Sequence, residues 1–235
     1  METYSEFLSR INSFEKSKLN LETNNFSPNP SLIKKVDSNN KFNKFYGDTV
    51  VFDLDDKTKV ILFDYVKKLY NTVPNCFCET LVENTFHMTL HDLSNSPVLS
   101  EIAEDTFCNE INLLKKLEQS KYEQQTITME STYVFNMVNT SLVLGLKPKD
   151  EIEYKKLMKL YDAVDSIKSL QYPFTPHITL AYYNRNGFSG NDVKNLEKAV
   201  NELNKNSFTV ELSTDNLVYQ KFTSMNNYID IFKLT

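Results

Sequence analysis

The chain has 235 residues, of which 40% are hydrophobic and 12% aromatic, and this is enough apolar material for a folded core. The net charge of −5 at pH 7 argues against a broad, sequence-independent grip on a polyanion, because such binding needs a basic surface. Only four glycines occur and no glycine-rich phosphate loop is present, which argues against nucleotide folds of the P-loop and Rossmann kinds. The composition favours a globular protein that acts on a small substrate or on a single nucleic-acid end.

Helices and strands alternate along the chain. Helical spacing of apolar residues predicts a helix over residues 5–18, and a polar, proline-containing arm over residues 23–43 follows. Next come a strand over 49–54, a helix over 57–72, a strand around His87, a helix over 98–117 and a long strand over 125–138. A strand over 141–146, a helix capped by Asp150 and running to residue 168, the strand of His177 and a helix over 191–203 follow. Three strands near 208–212, 217–222 and 228–234 complete the order.

Two of the three histidines lie in a repeated pattern, His-x-Thr-apolar, in the segments FHMTL (86–90) and PHITL (176–180). On a strand, residues i and i+2 point to the same face, so each segment places an imidazole beside a hydroxyl. Two such strands facing each other would supply two proton-transfer groups and two hydroxyl donors, which can handle a phosphate diester without a metal. A single histidine in an apolar strand is more often a hydrogen-bonded core residue. The duplication favours the functional interpretation.

The order of elements is also duplicated, which indicates two related halves. We expect an N-terminal helix and arm over residues 1–44, and one bilobal domain over residues 45–235 whose halves span about 45–138 and 139–235. The predicted fold class is α+β, with two pseudo-symmetric α/β lobes, mostly antiparallel sheets lining a central cleft, and helices on the outer faces.

These motifs resemble those of the two-histidine (2H) phosphoesterase superfamily, whose members carry one His-x-Thr/Ser-apolar motif in each lobe. The family includes RNA 2′–5′ ligases and cyclic phosphodiesterases acting on RNA ends and nucleotides. The resemblance implies that His87, Thr89, His177 and Thr179 are catalytic, with His177 the base that activates water and His87 the acid. RNA-ligase-like members often carry an arginine shortly after the second motif, whereas here Arg185 stands slightly further on, and the N-terminal extension is not a feature of minimal members.

Four further residues are candidate substrate contacts. By strict alternation, His91 shares the face of His87, and Tyr183 shares the face of His177. The alternatives are an exposed histidine at a strand end and a packed strand aromatic. Arg185 is a candidate phosphate contact, with an exposed surface arginine as the alternative, and Tyr46 is a candidate for base stacking.

The sequence predicts neither a metal site nor a cofactor. His87 and His91 have the spacing of a helical metal pair, but their segment is a predicted strand and no third ligand is evident. No signal peptide and no apolar stretch of membrane-spanning length is apparent, so we expect a cytoplasmic protein without a membrane partner. We expect it to be a monomer.

The leading hypothesis is a metal-independent phosphodiesterase that hydrolyses a 2′,3′-cyclic or related phosphodiester of a nucleotide or RNA end. One alternative is an RNA-end ligase or RNA-processing enzyme on the same scaffold, which would bind RNA tightly and in a salt-sensitive way. Another is a protein that binds a phosphorylated ligand without turning it over.

Overall fold

The computed structural model describes residues 2–17, 19, 21, 24–119 and 124–234. Within them, the helices and strands follow in chain order: α1 (Tyr4–Ser17), β1 (Asn25–Phe26), β2 (Tyr46–Asp53), α2 (Asp56–Thr72), β3 (His87–Ser96), α3 (Ala103–Gln119), β4 (Thr126–Met137), β5 (Ser141–Pro148), α4 (Glu151–Asp165), β6 (His177–Tyr182), β7 (Phe188–Ser189), α5 (Gly190–Leu203), β8 (Thr209–Ser213), β9 (Leu217–Ser224) and β10 (Asn227–Lys233). The predicted elements are present with ends shifted by a few residues. Lys18 and Thr23, the predicted end of the first helix and start of the arm, lie outside the described residues.

Eight strands form one curled, antiparallel sheet in the order β10-β9-β2-β3-β6-β5-β4-β8. Three strands lie on each side of the central β3–β6 pair, and β3 and β6 carry the two motifs. The sheet therefore has a pseudo-twofold axis between the two histidine strands. The predicted α+β class with mostly antiparallel strands is confirmed.

The two halves of the sheet are not two consecutive halves of the chain. Strand β4, from the first half of the sequence, pairs with β5 and β8 on the His177 side. Strands β9 and β10, from the end of the sequence, extend the His87 side beyond β2. Each side of the sheet thus contains strands from both parts of the sequence. Strand β4 precedes residue 138 but lies on the His177 side, and the β9–β10 hairpin follows residue 138 but lies on the His87 side.

The helices repeat the same symmetry. Helix α2 follows β2 and contacts β6 of the other side, whereas α4 follows β5 and contacts β3. Both helices begin at an aspartate N-cap: the Asp55 carboxylate accepts from the N–H of Thr58 at 2.8 Å, and the Asp150 carboxylate accepts from the N–H of Ile152 at 2.9 Å. Such caps satisfy N–H groups that the first helical turn leaves without partners.

The arm, which the structure describes from residue 24 onwards, is held against the sheet domain. Strand β1 pairs with β7, which follows the second motif, and a short 3₁₀ turn over Pro30–Lys34 comes next. Leu32 and Val36 of the arm are buried, so apolar contacts as well as hydrogen bonds hold it in place. Among the described helices, none is long and apolar enough to cross a bilayer.

Candidate active site

The centre of the site is the pairing of β3 with β6, where Met88 lies opposite Ile178. Both of these side chains are fully buried on one face of the sheet. Alternation then places the motif histidines and threonines on the other face, with His87 across from Thr179 and Thr89 across from His177. In this arrangement the two histidines are diagonal neighbours, a relation that corresponds to a backbone spacing of about 7–8 Å.

The four motif side chains line one cavity with a volume of about 610 Å³. This volume falls in the range of small-molecule sites, roughly 300–1,000 Å³. The cavity walls combine the motif residues with aromatic side chains from both sides of the sheet, among them Tyr182, Phe222 and Tyr228. The structure therefore brings together all four residues that the sequence predicts as catalytic.

A carbonyl two residues earlier in the chain orients one motif histidine and acts on the pKa of the other. Nδ1 of His177 lies 2.7 Å from the main-chain oxygen of Thr175, and the main-chain oxygen of Thr85 raises the pKa of His87. Since a carbonyl only accepts, Nδ1 of His177 carries the proton, and the neutral ring keeps its lone pair on Nε2. Nε2 is then the atom available for proton transfer.

Burial keeps both imidazoles neutral. It lowers the pKa of His87 to about 4; the carbonyl of Thr85 and the charge of Asp92 oppose this shift. Burial also lowers the pKa of His177, opposed by the carbonyl of Thr175 and by Asp92, while the charge of Lys35 adds to the lowering. The ligand-free site therefore starts with two neutral bases at pH 7, and an anion between them would favour protonation of one.

A β-bulge interrupts each motif strand at the same position. Val51 pairs with Thr89 but Val50 pairs with His91, so Leu90 is an extra residue in β3. In β6, the partners of Val143 and Leu142 are Thr179 and Ala181, so Leu180 is the extra residue. Each bulge reverses the alternation of side chains beyond it.

The bulges explain why strict alternation misplaces two predicted substrate contacts, His91 and Tyr183. His91 has no exposed side-chain surface, and its Nε2 lies 3.0 Å from a carboxylate oxygen of Asp165 on α4. Tyr183 is fully buried, with its ring centroid 4.7 Å from that of Phe26. His91 is among the residues that line the cavity, although its side chain has no exposed surface. Tyr183 lies in the core and outside the cavity lining, in agreement with the alternative of a packed strand aromatic.

The residues that alternation missed are Asp92 and Tyr182. They follow the bulges at equivalent positions and both line the cavity. Burial raises the pKa of Tyr182, whose hydroxyl donates to the sulfur of Met225 at 3.1 Å. Tyr228 is a further missed residue, since its ring meets the ring of His87 edge-on at 4.9 Å. No signal in the sequence marks the bulges.

Arg185 and Tyr46 do not line the cavity. The N–H of Arg185 donates to the side chain of Asn40 at 2.8 Å, and its Nη1 lies 3.5 Å from the main-chain oxygen of Val36. Arg185 therefore contacts the arm. Tyr46 begins β2, paired with Ser96 at the far end of β3 from His87.

Lys35 is the one lysine or arginine among the described residues that line the cavity. Its Nζ lies 5.2 Å from the ring centroid of Phe45 and 5.3 Å from that of Tyr182. Periodicity gave no reason to place it in the site, because the sequence of the arm has neither a helical nor a strand period. Among the described residues, no group of three or more His, Cys, Asp or Glu side chains is arranged to hold a metal ion.

The fold is shared with solved structures of low sequence identity. A conserved protein of unknown function from Agrobacterium tumefaciens matches with a TM-score of 0.67 and 13% identity, over 89% of this chain and 94% of that chain. LigT from E. coli in complex with 3′-AMP matches at 0.49 and 14%, over 80% and 97% of the two chains. A protein described as a phosphoesterase matches at 0.44 and 16%, over 79% and 95%.

At 13% identity, the likeness to the Agrobacterium protein shows the fold alone. No model of a known protein family matches the sequence, and no curated protein matches it significantly. What the site does must therefore be argued from its own geometry.

Proposed function

We propose that this protein is a 2H phosphoesterase that hydrolyses a 2′,3′-cyclic or related phosphodiester of a nucleotide or RNA end, without a metal ion. The observation that carries the proposal is the symmetric set of four side chains at the β3–β6 pair. Two imidazoles and two hydroxyls face one cavity, and the carbonyl of Thr175 orients the ring of His177.

Hydrolysis of a cyclic phosphodiester needs one group to take a proton from water and another to protonate the departing ribose oxygen. With its lone pair on Nε2, neutral His177 is suited to accept the proton of water. His87 then acts as the acid, as the resemblance implies. Because the pKa of His87 lies near 4 in the free protein, the acid role requires the negative charge of the substrate to raise that pKa.

The hydroxyls of the two motif threonines stabilise the negative charge of the phosphate. Thr89 and Thr179 each stand directly across from the histidine of the other strand, so a phosphate between the imidazoles meets one hydroxyl from each side. Hydrogen bonds to the nonbridging oxygens strengthen as negative charge grows on them. The pseudo-twofold axis makes the two histidines equivalent in geometry, so the orientation of the substrate decides which one is the base.

The test is hydrolysis of a panel of 2′,3′-cyclic nucleotides in the presence of EDTA. We expect product from at least one of them, and a loss of about a hundredfold or more in His87→Ala and in His177→Ala. Thermal melting of both variants serves as the control for folding. Retention of RNA without cleavage would instead favour the RNA-end alternative, and saturable binding without product would favour a non-catalytic binding protein.

A further inference from the structure

The N-terminal arm contributes a side chain to the cavity. The only described lysine or arginine of the cavity wall comes from the arm: it is Lys35, the C-cap residue that follows the 3₁₀ turn. In the described part of the chain, Lys35 makes no ion pair or hydrogen bond through Nζ. Its charged end instead lies over two aromatic rings, those of Phe45 and Tyr182.

The main chain of Lys35 is held at both of its polar groups. Its N–H donates to the carbonyl of Leu32 at 2.9 Å, and its carbonyl accepts from the N–H of Asn43 at 2.9 Å. Leu32, three residues before Lys35, and Val36, the next residue after it, anchor this segment in the core. The position of the lysine is therefore set by the fold, and only its side chain is free to adjust.

The arginine that follows the second motif supports this segment. The guanidinium of Arg185 approaches the carbonyl of Val36, the residue next to Lys35. The main-chain N–H of Arg185 donates to the side-chain oxygen of Asn40. A second contact joins the same loop to the arm, where Asn186 donates to the carbonyl of Ser38 at 3.4 Å. The guanidinium of Arg185 thus contacts the arm, and the positively charged group that reaches the cavity is the ammonium of Lys35.

The charges in the cavity leave a role for such a cation. Both histidines are neutral when the site is empty. Of the described residues on the wall, Asp92 is the acidic one, and it accepts a hydrogen bond from Tyr172 at 3.4 Å. A phosphodiester carries a negative charge, and its transfer from water into a largely apolar cavity is costly unless a positive group accompanies it. Lys35 supplies that group.

We infer that Lys35, presented by the N-terminal arm, is the residue that binds the anionic phosphate of the substrate, in place of an arginine after the second motif. This inference rests on the proposed function for the identity of the substrate, but the anion site itself does not depend on turnover. It also assigns a purpose to the arm: correct placement of one cation beside the His177 motif.

The experiment measures binding of inorganic phosphate by isothermal titration calorimetry to the full-length protein, with Lys35→Met as the test variant. Loss of one charge-assisted contact weakens binding by about 10- to 100-fold. Lys34→Met is the matched control, since Lys34 is the preceding residue of the same turn and is exposed. This control removes the same charge and leaves the affinity unchanged.

Lys35→Met is expected to melt at the same or a higher temperature, because it removes a cation that burial disfavours. If it melts lower, Lys35→Gln and Lys35→Arg provide the comparison at similar length, and the arginine variant retains most of the affinity. Phosphate affinity within twofold of the native protein in Lys35→Met would overturn the inference. So would a native protein that binds no phosphate.

Steady-state kinetics separate this inference from the proposed function. If the native protein hydrolyses a cyclic nucleotide, Lys35→Met raises KM with little change in kcat, the pattern of a lost binding contact. If Lys35→Met turns over substrate with an unchanged KM, Lys35 has no role in binding, and the proposed phosphodiesterase activity is unaffected by that result. If the native protein turns over no cyclic nucleotide but Lys35→Met still binds phosphate more weakly, the anion site stands and the proposed phosphodiesterase does not.

Discussion

Leu90 and Leu180 occupy equivalent places on the two sides of the pseudo-twofold axis: each is the extra residue of a bulge directly after a motif threonine. Each leucine and the residue after it are both buried. As a result, the side chain five residues after each motif histidine faces the cavity, Asp92 on one side and Tyr182 on the other.

The first prediction concerns the protonation of the motif histidines. Imidazole resonances followed by NMR between pH 3 and 8 are expected to give a pKa of about 4 for His87 and one below the ordinary 6.5 for His177. The neutral rings are expected to carry the proton on Nδ1. Ordinary titration near 6.5 by both residues would contradict the burial argument.

The same shift affects stability. Since the folded-state pKa of His87 lies below its unfolded value, the unfolded chain binds the additional proton first. The free energy of unfolding is therefore expected to fall as the pH drops from about 6.5 towards 4, and to be insensitive to this residue above 6.5. Urea unfolding of the native protein and of His87→Gln across this range isolates the contribution, because the variant lacks the titrating group.

The third prediction is the pH dependence of catalysis. The active form needs one protonated and one neutral histidine, so kcat/KM is greatest between the two pKa values of the free enzyme. Because both pKa values are lowered, the optimum is expected below about pH 6.5. A bound phosphate adds negative charge that raises both values, so the profile of kcat shifts to higher pH than that of kcat/KM. An optimum of kcat/KM above pH 7.5 would contradict the assignment.

For the motif threonines, Thr89→Val and Thr179→Val are expected to lower kcat by about a hundredfold each, as for loss of one donor to a developing oxyanion. Valine keeps the shape and the strand preference of threonine, so little change in melting temperature is expected. Thr89→Ser and Thr179→Ser retain the hydroxyl and are the matched controls. Equal activity of the valine and serine variants would show that the hydroxyls do not contact the reacting phosphate.

The burial of Tyr183 gives a prediction about stability. Within the described residues its hydroxyl has no hydrogen-bond partner, so Tyr183→Phe removes a polar group whose burial is unfavourable. We expect the free energy of unfolding to rise by about 1 kcal/mol, measured by urea denaturation, with kcat/KM unchanged. A decrease of similar size would show that the hydroxyl is in fact satisfied.

Much of the architecture could be predicted from the sequence because it depends on local pattern. Apolar spacing located the helices and strands, and the duplicated motif located the two strands at the centre of the sheet. The candidate catalytic residues followed from alternation over three residues, His87 to Thr89 and His177 to Thr179, a distance too short for a bulge to matter.

There is a physical reason why the remaining site residues could not be predicted. A bulge depends on the pairing of neighbouring strands, which no local pattern contains, and a single inserted residue exchanges the two faces of the strand. Alternation extended past Leu90 and Leu180 therefore chose His91 and Tyr183 instead of Asp92 and Tyr182. Lys35 escaped notice because tertiary contacts alone determine the path of the arm.

The exchange of strands between the two sides of the sheet has a consequence for how this chain folds. Strand β2 lies between β3 and β9, which are separated by more than a hundred residues in sequence, so the His87 side is completed only after nearly the whole polypeptide has been synthesised. Contacts of such long range slow folding, and until they form β2 presents an unpaired edge to other chains. Fragments that stop before Leu217 should consequently aggregate instead of folding as an independent lobe.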